Sequence, residues 1–147
     1  MGARREGREA AVQFLYHRDI NGGSNATSIE EFWELRPAPP KARDFAMAIV
    51  SGTIEHQSTI DEAIRNASAN YDLHRIAAVD RNIIRVAVYE MLYCPEIPPV
   101  VSINEAIEIA KRFGSEDSGR FVNGILDRIR TTIPRAPRTA NVQNPKP

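Results

Sequence analysis

Apolar residues in this 147-residue chain return every three or four positions through most of its length, and no stretch alternates apolar and polar side chains convincingly. A helix that buries one face needs the first spacing, and a half-buried strand needs the second. The chain is therefore expected to be all α, about seven helices in a single bundle-like domain.

Residues 4–20 form the first expected helix. Ala11, Val12, Leu15 and Tyr16 make its apolar face, Phe14 lies near the edge, and Arg4, Arg5 and Arg8 occupy the first two turns. Gly7 is a weak point there, worth about 1 kcal/mol against alanine. After a glycine-bearing loop, Ser28 and Glu31 form a capping box that opens a short helix with Phe32, Trp33 and Leu35. Pro40 starts a third helix to about Gln57, lined by Phe45, Ala46, Ile49, Val50 and Thr53, in which Gly52 allows close helix approach. Ser58 is expected to cap a fourth, with Ile60, Ala63, Ile64 and Ala67 in register. Residues 76–93 are the most apolar segment, with apolar residues on more than one face, so this helix is expected at the centre. Pro95, Pro98 and Pro99 end it.

Residues 102–130 read SINEAIEIAKRFGSEDSGRFVNGILDRIR. Ser102 and Glu105 are expected to form another capping box, followed by Ile103, Ala106, Ile107 and Ala110 at helical spacing. Gly114 is expected to stop that helix in a left-handed conformation. Ser115, Glu116 and Asp117 suit the start of the next helix, where carboxylates face the positive end of the dipole. Phe121, Val122, Ile125, Leu126 and Ile129 supply its buried side. Lys111, Arg112, Asp117 and Arg120 gather around one turn, which makes that turn a candidate contact surface. Asn123 is read as a buried amide and Gly124 as a close helix contact.

Composition narrows the function classes. No apolar run approaches the roughly 20 residues that cross a bilayer, and no signal segment follows the arginine-bearing start. Cys94 is the only cysteine, which fits a reducing cytoplasm and excludes a zinc site built on cysteines. His17, His56 and His74 lack metal-ligand spacing. Gly114 to Gly119 lacks the lysine and hydroxyl of a phosphate loop, and neither a nucleophile elbow nor a dinucleotide fingerprint is present. No catalytic residue, metal or cofactor is expected. Net charge is zero but uneven: residues 128–147 carry Arg128, Arg130, Arg135, Arg138 and Lys146 against no acids, and Arg4, Arg5 and Arg8 cluster at the other end. That distribution suits local phosphate contacts better than general polyanion binding, and taken alone the charged ends fit solubility with a flexible basic tail more simply. The expected division is a helical domain at 1–133 and a disordered, proline-rich basic tail at 134–147.

Three blocks carry a resemblance over nearly the whole chain: RREGREAAVQFLY (4–16), VDRNIIRVAVYEML (79–92) and INEAIEIAKRFGSEDSGRFVNGILD (103–127). With them the chain resembles the NusB family of bacterial transcription antitermination factors. The resemblance implies an all-helical fold of two packed sub-bundles and no enzymatic activity. It implies a partner, the ribosomal protein NusE, with which such proteins bind the boxA element of nascent single-stranded RNA and help RNA polymerase, alongside other antitermination factors, through ribosomal RNA operons. It further implies RNA contacts at Arg4, Arg5, Arg8, Asp117, Arg120 and Phe121, and a surface for NusE and RNA at Tyr16 and Asp80. Glu6 departs from the family's basic run. Each assignment has a plainer rival: Tyr16 and Phe121 as core, and Asp117 as a helix-start carboxylate. Beside phosphates, Asp117 would specify a base rather than strengthen binding.

Two other classes compete with the adaptor. One is an enzyme fragment, because similar helical domains precede RNA methyltransferases, although no nucleotide-binding βαβ unit is present. The other is a helical protein-interaction module or homodimer without an RNA role.

Overall fold

The computed structural model describes residues 2–23, 28–68 and 72–133. Among these residues there are seven α-helices and no strand: α1 (Ala3–Ile20), α2 (Ile29–Leu35), α3 (Pro40–Glu55), α4 (Gln57–Ala67), α5 (Ala78–Tyr93), α6 (Pro99–Phe113) and α7 (Ser118–Thr132), with a 3₁₀ turn at Leu73–Arg75 before α5. The expected tail, residues 134–147, lies outside the described residues.

Helix α5 is the centre, as its apolar character requires. It packs against α1, α3, α4, α6 and α7, while α1 pairs with α3 and α6 with α7. One contiguous core results, running from Val12 and Leu15 through Ile60, Ile84 and Val88 to Ile109, Ile125 and Leu126.

Two glycines set how closely these helices approach. A Cβ on Gly52 would lie 2.3 Å from the Tyr89 ring, so that aromatic lies directly on the α3 backbone. A Cβ on Gly7 would meet Phe45 at 2.8 Å and the Ala42 carbonyl at 2.9 Å. Gly7 costs α1 some intrinsic helicity, but α1 could not pack this closely on α3 without it.

The capping box of Ser28 and Glu31 is present, each side chain bonding the other residue's backbone N–H at 3.1 Å. Three other expected helix signals are corrected. Ser102 and Glu105 do not cap α6, because Pro99 starts that helix one turn earlier. Proline suits a first-turn position, where its missing N–H has no helical partner to lose. Ser58 lies inside α4, which follows α3 directly after His56. Gly114 is extended (φ −94°, ψ −169°) rather than left-handed. Its small size matters instead, since a Cβ would sit 2.3 Å from the Ser118 hydroxyl. That hydroxyl accepts from the Ser115 N–H at 2.9 Å and closes the turn into α7.

Candidate nucleic-acid and partner interface

Ion pairs fix how α1 lies on its neighbours. Arg8 meets Glu90 near the end of α5, whereas Asp19 meets Arg81 and Arg85 near its beginning, so α1 and α5 are antiparallel. Arg5 meets Glu105 and Glu9 meets Arg112, so α1 and α6 run parallel. Continuing along α1 therefore leads to the end of the bundle where α6 finishes and α5 and α7 begin. Tyr16, Asp80, Asp117 and Phe121 belong to that end. Arg4, Arg5 and Arg8 lie back toward the other, about 12–18 Å before Tyr16 along the helix at 1.5 Å per residue.

The three arginines differ sharply. Arg4 is exposed, with its guanidinium 5.5 Å from the Phe45 ring centre. Arg5 is half-buried and grips Glu105 with both edges of its fork, Nε to Oε1 at 2.5 Å and Nη2 to Oε2 at 2.8 Å. That hydrogen bond holds the Glu105 carboxyl below the usual glutamate range, against the opposing effect of burial. Arg8 is 4% exposed and donates from Nε to Glu90 at 2.7 Å, and Glu90 accepts a second bond from the Ser102 hydroxyl at 2.6 Å. Arg8 thus departs from the expected phosphate contact: its charge is enclosed and neutralised by a carboxylate that is itself 1% exposed. The sequence held the signal for this. Arg8 stands three, four and seven residues before Ala11, Val12 and Leu15, on the face they bury.

At the opposite end, Asp117 and Arg120 are free in solvent, with side-chain exposures of 82% and 88% and a loose 3.7 Å pairing. Asp117 stands at the α7 N-cap but makes no side-chain cap bond. Phe121, half-buried, packs its ring against the core rim one turn further on. Tyr16 is likewise half-buried, edge-on to His17 at 5.7 Å. Asp80 is buried in the first turn of α5, and its Oδ1 has no hydrogen-bond partner among the described residues. Two readings fall here: Asn123 is exposed, and Gly124 meets nothing closer than the Arg128 side chain, where a Cβ would stand 3.8 Å away. Both lie off the α7 core face defined by Val122, Ile125 and Ile129.

Behind this end lies a network that sequence reading missed. Asp19 accepts from Arg81 at 2.8 Å, Asn82 at 2.9 Å and Arg85 at 3.0 Å, and Arg85 forks onto Asp61 at 2.8 and 3.1 Å. Burial pushes the Asp19 carboxyl up, but the bonds from Arg81 and Asn82 outweigh it and leave the group below its ordinary value. The network ties α1, α4 and the first turns of α5, and so holds the helix start that carries Asp80. Charged residues inside the most apolar helix were its only sequence signal.

An all-α domain with a central apolar helix, an arginine-bearing first helix and an open helix start at α7 is a class that known proteins share. A sequence model described as the NusB family matches residues 5–131, and the chain belongs to that family. The transcription antitermination protein NusB of Sorangium cellulosum (strain So ce56) is 46% identical over 138 residues, which cover 94% of this chain and 99% of that one. The protein of the same description from Geobacter sulfurreducens is 50% identical over 135 residues, covering 91% and 98%. Among solved structures, T. maritima NusB superposes with a TM-score of 0.79 at 37% identity, over 92% of this chain and 96% of that chain. A chain from a crystal structure of antitermination factors NusB and NusE in complex with dsRNA gives 0.80 at 25% identity, over 90% and 99%.

Proposed function

We propose that this protein is a transcription antitermination factor that binds boxA-type RNA together with the ribosomal protein NusE and supports transcription of ribosomal RNA operons. The observation that carries the reading is the match in fold, over almost the full length of both chains, to a factor solved with NusE and RNA. Relatives approaching half identity over nine-tenths of the chain bear the antitermination description. The protein acts as an adaptor rather than an enzyme, in the cytoplasm where transcription occurs. No described helix is long and apolar enough to cross a membrane.

In this reading an RNA strand lies alongside α1 and touches both patches. Arg4 and Arg5 take phosphates at one end. At the other, Phe121 stacks a base, Asp117 accepts from an exocyclic amine, and Arg120 takes a phosphate. Arg8 positions α1 through Glu90 instead of touching RNA. Tyr16 and the α5 start that carries the buried Asp80 face NusE. A protein of zero net charge with a small arginine patch binds RNA weakly alone, and a partner that extends the surface raises the effective affinity. The basic segment 134–147 adds non-specific attraction.

The test is RNA binding by the purified chain with and without NusE, on boxA-like RNA and a scrambled control. Preference for the boxA-like strand that increases with NusE is expected. Equal binding of both strands, indifferent to NusE, would overturn the reading.

A further inference from the structure

Glu105 occupies the guanidinium fork of Arg5. Both of its oxygens are taken by the Arg5 fork, at 2.5 and 2.8 Å, and Oε1 also lies 3.9 Å from Nη1 of Arg8. The pair is not sealed: the side chains of Arg5 and Glu105 are 25% and 19% exposed. A guanidinium fork binds carboxylate and phosphate in the same two-pronged geometry, so one ligand substitutes for the other without rearrangement of the arginine. Arg8 differs, because its Nε is held by Glu90, which is enclosed and further anchored by Ser102.

We infer that Glu105 is an affinity- and specificity-setting residue of the RNA surface, an internal competitor that occupies Arg5 until an RNA phosphate displaces it. The inference rests on the RNA-binding reading above and deepens it. Arg5 and Glu105 together are neutral, so as a unit they attract no polyanion. Arg5 contributes only where a strand already fixed elsewhere, by NusE and the α7 helix start, presents a phosphate at high local concentration. Glu105 thereby suppresses binding to unmatched RNA, which has no second anchor.

The experiment compares full-length wild type, Glu105→Gln, Arg5→Ala and the double variant in complex with NusE. Binding to boxA-like and scrambled RNA is measured over a salt series, and helical content and melting are monitored. Glu105→Gln is expected to tighten scrambled RNA by about two- to fivefold, the scale of a partly exposed ion pair. Its log-affinity against log-salt slope is expected to steepen by about 0.7, one added phosphate contact on a single strand. Arg5→Ala is expected to cost more in the Glu105→Gln background than in wild type. Glu105→Asp, which keeps the charge but shortens the reach, guards against a folding effect and is expected to gain less than Glu105→Gln. If wild type binds RNA but Glu105→Gln gains nothing, or if Arg5→Ala costs the same in both backgrounds, the competitor role is overturned and the pair is only a strut. If wild type with NusE binds no RNA, the functional reading itself falls, and this inference with it.

Discussion

The start of α1 and the start of α7 treat charge in opposite ways. At the start of α1, arginines that look in sequence like a ready phosphate clamp are answered by carboxylates from α5 and α6, so that one is enclosed and another occupied. At the start of α7, Asp117 and Arg120 hold each other loosely in solvent beside a half-buried ring. The first is tied into the packing of the helices; the second is left in solvent. Similar residue types serve both places, and what separates them is whether a partner from another helix comes within bonding distance.

The largest expected effect tests the enclosed end. Arg8→Ala strands Glu90 in the core, and breaking a buried pair by removing one partner costs about 3–5 kcal/mol. Chemical denaturation checks this, and a normally stable variant that has lost only RNA binding would invert the comparison. Phe121→Ala comes next. A ring packed half into the core and half outside is expected to lose some stability, and RNA binding by its folded fraction is expected to fall by about 1–3 kcal/mol if a base stacks there. Destabilisation with normal RNA binding by the folded fraction would assign Phe121 to packing alone.

Arg4→Ala is expected to leave melting nearly unchanged, to weaken binding uniformly across RNA sequences, and to flatten the salt slope by about 0.7. A sequence-dependent loss would mean that Arg4 reads bases. Asp117→Asn should shift preference among RNA sequences with little change in overall affinity, measured by competition among single-base variants.

The smallest effect is in acid. Glu105 and Asp19 both titrate below their ordinary values in the folded chain. Their contribution is therefore complete above the unfolded carboxylate range and is lost as pH falls through the lower, folded values. Stability is expected to decline as pH drops below about 4.5, the ordinary glutamate value. That acid limb should be shallower in Glu105→Gln, and identical limbs in urea titrations at several pH values would remove Glu105 from the account.

The helices were legible because their burial is periodic: the core positions of α1, α3, α4 and α7 can be read from three- and four-residue spacing. Helix starts were less legible, since a capping motif is local and carries no information on competing partners. Ser102 and Glu105 have the letters of a capping box, yet Pro99 takes the start and each side chain turns to another helix, Ser102 to Glu90 and Glu105 to Arg5. Gly52 was legible as a contact, but the reason for Gly7 depends on Phe45, which is far away in sequence. Exposure was readable at Asp117 and Arg120, where it follows from helix geometry. Burial was not readable at Arg81 or Arg85, because a buried arginine differs from an exposed one only by a carboxylate on another element; at Arg8 the helical register with Ala11, Val12 and Leu15 gave it.

The network of Asp19, Arg81, Arg85 and Asp61 also restricts how this chain can change over generations. Its two carboxylates and two guanidiniums cancel, so losing any single member leaves an uncompensated charge inside the bundle, at a cost comparable to much of a small domain's stability. Replacing the members together by apolar residues of similar size carries no such penalty. The landscape at this spot therefore holds two viable plateaus separated by a valley, and a lineage crosses it by concerted substitutions on α1, α4 and α5 rather than one step at a time. Deep mutational scanning should find these four positions intolerant singly, with rescue confined to specific pairs.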